Sequence, residues 1–271
     1  MSRINSAALL AFFLVCSATR SAQQPQNPPA ILKLTHVVVS PGKEAPFARV
    51  SAERSQYLAT IAWPTISIAL TPVTGPNEVL FLSGYKSLEE WAHDRAMENS
   101  PEIKSRLNDL TARAGELIAS RRDISADFEP EISYRASYDW SKIRYVDLIT
   151  ILLRPGRGDE YLKNRNIVLE AHKKAAVDEH MMIYQISSGY PGTTFLILRP
   201  VETFNGLDLE KQHGDRYMKV LGEENRKELH DLFAASVQTQ EEEFYAVDPA
   251  MSYVTASWAG SDKQFWLGHQ N

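Results

Sequence analysis

The chain has 271 residues, 44% of them hydrophobic, which is enough for one large domain or two ordinary ones and is not the composition of a disordered segment. A net charge of -5 without a long basic run argues against nucleic acid as a partner. The single cysteine, Cys16, excludes a disulfide framework and a thiolate metal site.

The first residues read as a targeting segment. Arg3 supplies a positive start, Ala7 to Val15 an apolar run too short to span a bilayer, and small residues follow at Cys16, Ser17 and Ala18. Cleavage after Ala18 or Ala22 predicts a chain exported to the periplasm or the medium, with no transmembrane segment left. A lipid anchor on Cys16 is disfavoured because Val15 stands where a small residue is usual. Residues 1–22 are assigned to the signal and 23–30, rich in Gln and Pro, to a flexible leader.

Beyond the leader the chain repeats itself once. Ile31 to Val39 reads as a strand closed by Ser40-Pro41-Gly42, and Arg144 to Leu153 as another closed by Arg154-Pro155-Gly156. A helix is expected after each turn, over Glu44 to Ala62 and Asp159 to Val177. Two strands joined by a turn come next: Thr65 to Val73 with Glu78 to Tyr85, and His180 to Ser187 with Thr193 to Leu198. Long polar helices are expected over Leu88 to Arg121 and Leu207 to Glu243, with Gly214 and Gly222 as breaks in the second. Each copy should then end in a strand carrying an echoed hexamer, Glu129-Pro130-Glu131-Ile132-Ser133-Tyr134 and Asp248-Pro249-Ala250-Met251-Ser252-Tyr253.

Each half, 31–139 and 143–271, therefore reads β-α-β-β-α-β, the split ferredoxin-like order with two helices on one face of a four-stranded sheet. Two such units in one chain can pack sheet to sheet, giving an α+β intrachain barrel that behaves as a monomeric pseudo-dimer. This arrangement resembles the dimeric α/β-barrel superfamily, which includes small antibiotic-biosynthesis-type monooxygenases, haem-degrading enzymes, chlorite-dismutase-like proteins and the NIPSNAP family. The resemblance spans nearly all of the chain after the leader and rests on element order, so it implies fold more than function. It also implies a ligand pocket between sheet and helices.

Strong catalytic motifs are absent: there is no phosphate loop, dinucleotide glycine fingerprint, His-Glu-x-x-His or Gly-x-Ser-x-Gly. Polar residues inside apolar strands are then the informative ones, because they cost free energy unless paired. Matching the Pro41-Gly42 and Pro155-Gly156 turns pairs Lys33 with Asp147, which could meet across the pseudo-twofold axis if their face lines the barrel. The same register pairs His36, on the apolar face of the first strand, with Thr150. His36 is thus the first candidate base or ligand contact, to be weighed against a satisfied core histidine.

His180 and Tyr184 alternate on one strand face, and His172 on the preceding helix could converge with them or diverge. Lacking spaced carboxylates, these histidines predict no metal site, and no cofactor is expected. His93, His213 and His230 lie in charged helices and read as solvated; Trp63, Trp91, Tyr85, Tyr145 and Tyr190 could line a pocket for a flat organic ligand or simply pack. The Ser-Tyr of the hexamer, present in both halves, favours a structural role.

The expected function is the binding of a small apolar or aromatic molecule, with catalysis left open and His36 and His172 as its candidates. The alternatives are a cofactor-independent monooxygenase-like enzyme and a non-catalytic interaction scaffold. An enzyme needs an enclosed pocket with a partly buried titratable group; a scaffold needs only an exposed apolar patch.

Overall fold

Two strand-to-helix turns set the frame. In Ser40-Pro41-Gly42-Lys43 and Arg154-Pro155-Gly156-Arg157 the fourth N–H donates to the first C=O, at 2.9 and 3.2 Å, and the glycines take φ of 75° and 74°. Proline second and a left-handed glycine third is the type II pattern, so each strand reverses into its helix at low steric cost.

The computed structural model describes residues 26–268, apart from the side chains of residues 207–212; the expected signal and its cut sites lie outside the described residues. The strands are β1 (Ile31–Val39), β2 (Ser67–Pro72), β3 (Glu78–Tyr85), β4 (Ile118–Phe128), β5 (Tyr145–Leu153), β6 (Met182–Ser188), β7 (Thr194–Val201) and β8 (Val237–Tyr253). The helices are α1 (Glu44–Thr60), α2 (Leu88–Glu98), α3 (Pro101–Gly115), α4 (Gly158–Ala175), α5 (Gly206–Ser236), α6 (Ala256–Ala259) and α7 (Lys263–Leu267). No helix among the described residues is long and apolar enough to cross a membrane.

All eight strands close into one antiparallel barrel, in the order β1-β3-β2-β8-β5-β7-β6-β4. The strands of each half stay together, as β4-β1-β3-β2 and β8-β5-β7-β6, and the halves join through β2 with β8 and β6 with β4. Alternation along each strand sends one set of side chains inward and the other under the helices. Leu34, Leu70, Leu80, Ile124, Leu148, Tyr184, Leu196 and Tyr245 belong to one buried cluster inside the barrel. Trp258 and Trp266 join that cluster beside the start of β5, where Trp266 Nε1 donates to Ser141 O at 2.8 Å.

Several expectations need correction. The long polar helices end early: residues from Ile118 to Arg121 open β4, and Gln238 to Glu243 lie in β8. Both runs are exposed along most of their length, so their polarity carried no strand signal, and it is ladder pairing with β1 and β5 that makes them strands. Asn99 and Ser100 separate α2 from α3; within α5, Gly222 interrupts the helix (φ 74°, ψ 173°) while Gly214 stays inside it.

In the first half the hexamer is not the final strand, which is β4. Pro130–Ile132 instead forms a 3-10 turn, whereas the matching Pro249 lies within β8. Even so, the two hexamers make matching contacts. Ser133 Oγ donates to Glu129 O (2.7 Å) and accepts from Ile183 N of β6 (3.0 Å); Ser252 Oγ donates to Asp248 O (2.6 Å) and accepts from Ala69 N of β2 (2.9 Å). Tyr134 Oη donates to Val177 O at 3.0 Å, and Tyr253 Oη to Trp63 O at 2.6 Å. Each hexamer is a latch that fastens the backbone leading into β6 or β2.

Candidate functional site

A concavity lies in the first half, between the outer face of its strands and helices α1 and α3. It encloses about 480 Å³, in the range of small-molecule sites. Its strand wall comes from alternate residues of β1, Lys33, Thr35 and Val37, with Ser67, Phe81, Ser83 and Arg121 from neighbouring strands. The helical wall comes from Phe47, Val50, Ser51 and Arg54 of α1 and from Leu107, Leu110 and Thr111 of α3. Phe47 and Phe81 meet edge to face, with ring centres 6.4 Å apart.

The cavity is left open where short side chains stand on both walls. Thr35, Ser51 and Ser67 are buried yet too small to fill the space under the helices. Of the hydroxyls, Thr35 Oγ1 donates to Asp123 at 2.6 Å, while Ser51, Ser67 and Ser83 make no side-chain hydrogen bond among the described residues. Lys33 faces Ser83 and Ser125 across its ladders, so neither residue directly opposite it carries a counter-charge. Burial pulls the Lys33 ammonium below its ordinary value, opposed by the carboxylates of Asp123 and Glu98. Burial likewise lowers Arg54, with Glu98 opposing.

The structure moves the candidates read from the sequence. Lys33 and Asp147 do not meet across the axis: both lie on the outer face, where Asp147 is ion-paired with Arg199 of β7, and Arg199 also reaches Glu242 at 2.8 Å. Burial raises the Asp147 carboxyl; Arg199 opposes that shift, and Glu242 adds to it. His36 points the other way, inward, and does not line the sheet–helix cavity. It sits at a barrel mouth of about 190 Å³ whose lining also includes Thr150, Arg122 and Tyr190, with Nδ1 3.2 Å from Glu78. His36 and Thr150, matched by register, thus line one small mouth rather than separate pockets. The alternation that puts His36 beside Leu34 and Val38 made this legible; which face held the cavity was not.

His172 and His180 diverge. His172 is buried, with Nδ1 2.8 Å from Val168 O one turn back and Nε2 3.4 Å from Glu179. His213, expected to be solvated, lies with its Nδ1 3.4 Å from the same carboxylate and is only 14% exposed. Burial raises Glu179, but the hydrogen bond and charge of His172, then Arg199 and His213, outweigh it and leave the carboxyl lowered. His180 Nδ1 instead lies 2.6 Å from Arg135 O, its ring 5.0 Å from Tyr138. Tyr184 is enclosed in the barrel, Oη donating to Pro29 O at 3.3 Å, and burial raises its pKa. Among the described residues no group of three or more His, Cys, Asp or Glu is placed to hold a metal ion.

The expected aromatic lining also lies elsewhere. Tyr85 stacks on Trp91, Tyr145 on Phe244, Arg122 covers Tyr190, and Trp63 packs with Leu58 and Tyr253. Sequence reasoning missed Arg54 and the serines because nothing distinguishes a pocket serine from a surface serine until the strands are paired.

No family model and no curated protein matches the chain. Solved structures match in fold. An anthrone oxidase-like protein superposes with a TM-score of 0.54 at 13% identity, over 83% of this chain and 94% of that one. A candidate monooxygenase from Fusobacterium nucleatum gives 0.54 at 11%, over 82% and 93%. A mutant chlorite dismutase from Candidatus Nitrospira defluvii gives 0.50 at 10%, over 84% and 95%. The fold is that of the ferredoxin-like dimeric α/β barrels, and identities this low speak of fold alone.

Proposed function

We propose that this chain is an exported small-molecule-binding protein with one working pocket, the cavity between the first-half strands and α1 and α3. The observation that carries this reading is a cavity of about 480 Å³ lined jointly by apolar rings and unbonded hydroxyls. Internal duplication belongs to the same proposal. Its support is the shared strand order of the halves and the paired hexamer latches. Export rests on Arg3 and the Ala7 to Val15 run, and intact mass of secreted material beginning near Thr19 or Gln23 is its check.

Thr35 and Ser67 correspond to Ile149 and Met181 of the second half, so Thr35→Ile with Ser67→Met should fill the pocket without changing its charge. The parent is expected to take up the neutral fluorophore N-phenylnaphthylamine, His36→Gln to keep that uptake, and the filled variant to lose it. Uptake that survives filling, or none in the parent, overturns this assignment of the site.

A monooxygenase-like activity is a second reading, favoured by one residue in the pocket. Lys33 lines the pocket with its pKa lowered by burial, and its neutral form would take a proton from a phenolic substrate that itself supplies the electrons to oxygen. Oxygen uptake with phenols that Lys33→Gln leaves intact would remove this role.

A further inference from the structure

The charge of the pocket opposes that of the chain. Although the protein carries -5 overall, five cationic side chains, Lys33, Arg54, Arg95, Lys104 and Arg121, line this cavity against one carboxylate, Glu98. They are graded by depth. Arg95, Lys104 and Arg121 are exposed at the rim, whereas Lys33 and Arg54 are withdrawn further.

Two of the rim cations are already answered, Arg95 by Glu98 at 3.1 Å and Arg121 by Asp123 at 3.0 Å. The inner two are not: neither Lys33 nor Arg54 makes a hydrogen bond or ion pair within the described residues. Asp123 and Glu98 act on Lys33 only at longer range, and both carboxylates are engaged by the rim arginines. Two charges held in a recess without contact partners cost free energy unless a ligand completes them. The same lining carries apolar side chains, Val37, Phe47, Phe81, Leu110 and Met251.

Resting on the pocket assignment above, we infer that its ligand is an amphipathic organic anion, whose carboxylate or sulfonate group is taken by Arg54 and Lys33 and whose apolar body lies against Phe47 and Phe81. Arg54 offers a planar fork suited to two oxygens of one anionic group, and Lys33 a point charge beside it. The hydroxyls of Ser51, Ser67 and Ser83 stand in the same recess as further donors. The rim cations draw such an anion toward a chain that otherwise repels it, an attraction that salt should weaken.

A matched pair of probes tests this. Anilinonaphthalene sulfonate and N-phenylnaphthylamine share an aromatic body and differ in one anionic group. The parent is expected to bind the sulfonate at least about tenfold more tightly, a difference of roughly 1.4 kcal/mol. Arg54→Met and Lys33→Met should each remove most of that preference while leaving the neutral probe bound. The filled variant, Thr35→Ile with Ser67→Met, should lose both probes. Equal affinities in the parent, both lost on filling, would overturn the anion and leave the pocket standing. A preference for the sulfonate that survives both methionine variants would assign it to another surface and also overturn the inference. Failure of the parent to bind either probe overturns the pocket itself.

Discussion

Lys33 and Asp147 hold matching places on β1 and β5, yet Lys33 opens onto a cavity while Asp147 is closed off by an arginine. The neighbouring positions differ in the same direction. Thr35, Ser51 and Ser67 stand where the second half has Ile149, Arg165 and Met181, and Phe47 stands where it has Tyr161. In the second half these larger groups pack together: Tyr161 is fully buried 4.7 Å from the Phe195 ring, and Arg165 donates to Met181 Sδ at 2.8 Å. One backbone plan thus supports a filled layer under α4 and a layer with a cavity under α1 and α3. The difference lies in the volume of the side chains and in the pairing of Asp147 with Arg199.

The comparison breaks most visibly at the ring under each helix. Tyr161→Ala should cost about 3–5 kcal/mol, the usual loss for an aromatic in a packed core, and Phe47→Ala clearly less, because Phe47 already borders open space. Urea midpoints of the two variants decide it; equal losses would mean that the halves are equally packed.

The latches should behave alike in both halves. Ser133→Ala and Ser252→Ala each leave a strand N–H without its partner, Ile183 in one case and Ala69 in the other. Each should cost about 1–2 kcal/mol. Calorimetry showing one latch silent would confine the structural role to the other half.

The smallest expected effect has the opposite sign. Lys33→Met removes a desolvated charge and should raise stability by about 1 kcal/mol while weakening anion binding. The pH dependence follows from direction. The folded-state pKa of Lys33 lies below its ordinary 10.5, so between the two values the unfolded chain binds more protons and the parent gains stability as pH rises. Below that window the penalty is complete. Denaturation across the alkaline range should show this rise in the parent and a flatter profile in Lys33→Met.

Much of this architecture was determined by the sequence alone. The Pro-Gly turns, the alternation in β1 and β5 and the echoed hexamers are local signals, since backbone freedom and side-chain period act over a few residues. They located β1 and β3 at their observed bounds and marked the hexamers as structural. What only the tertiary structure decided was which polar runs became strands and which face of β1 held the cavity. Ile118 to Arg121 and Gln238 to Glu243 have no strand-like pattern, and their backbone pairing is supplied by partners far along the chain. The cavity was illegible for the same reason: it is unfilled volume where β1, α1 and α3 meet. Thr35, Ser51 and Ser67 acquire meaning only when a barrel places them together beneath Arg54, and His36, conspicuous in the sequence, is turned by the same strand pleat to the barrel mouth.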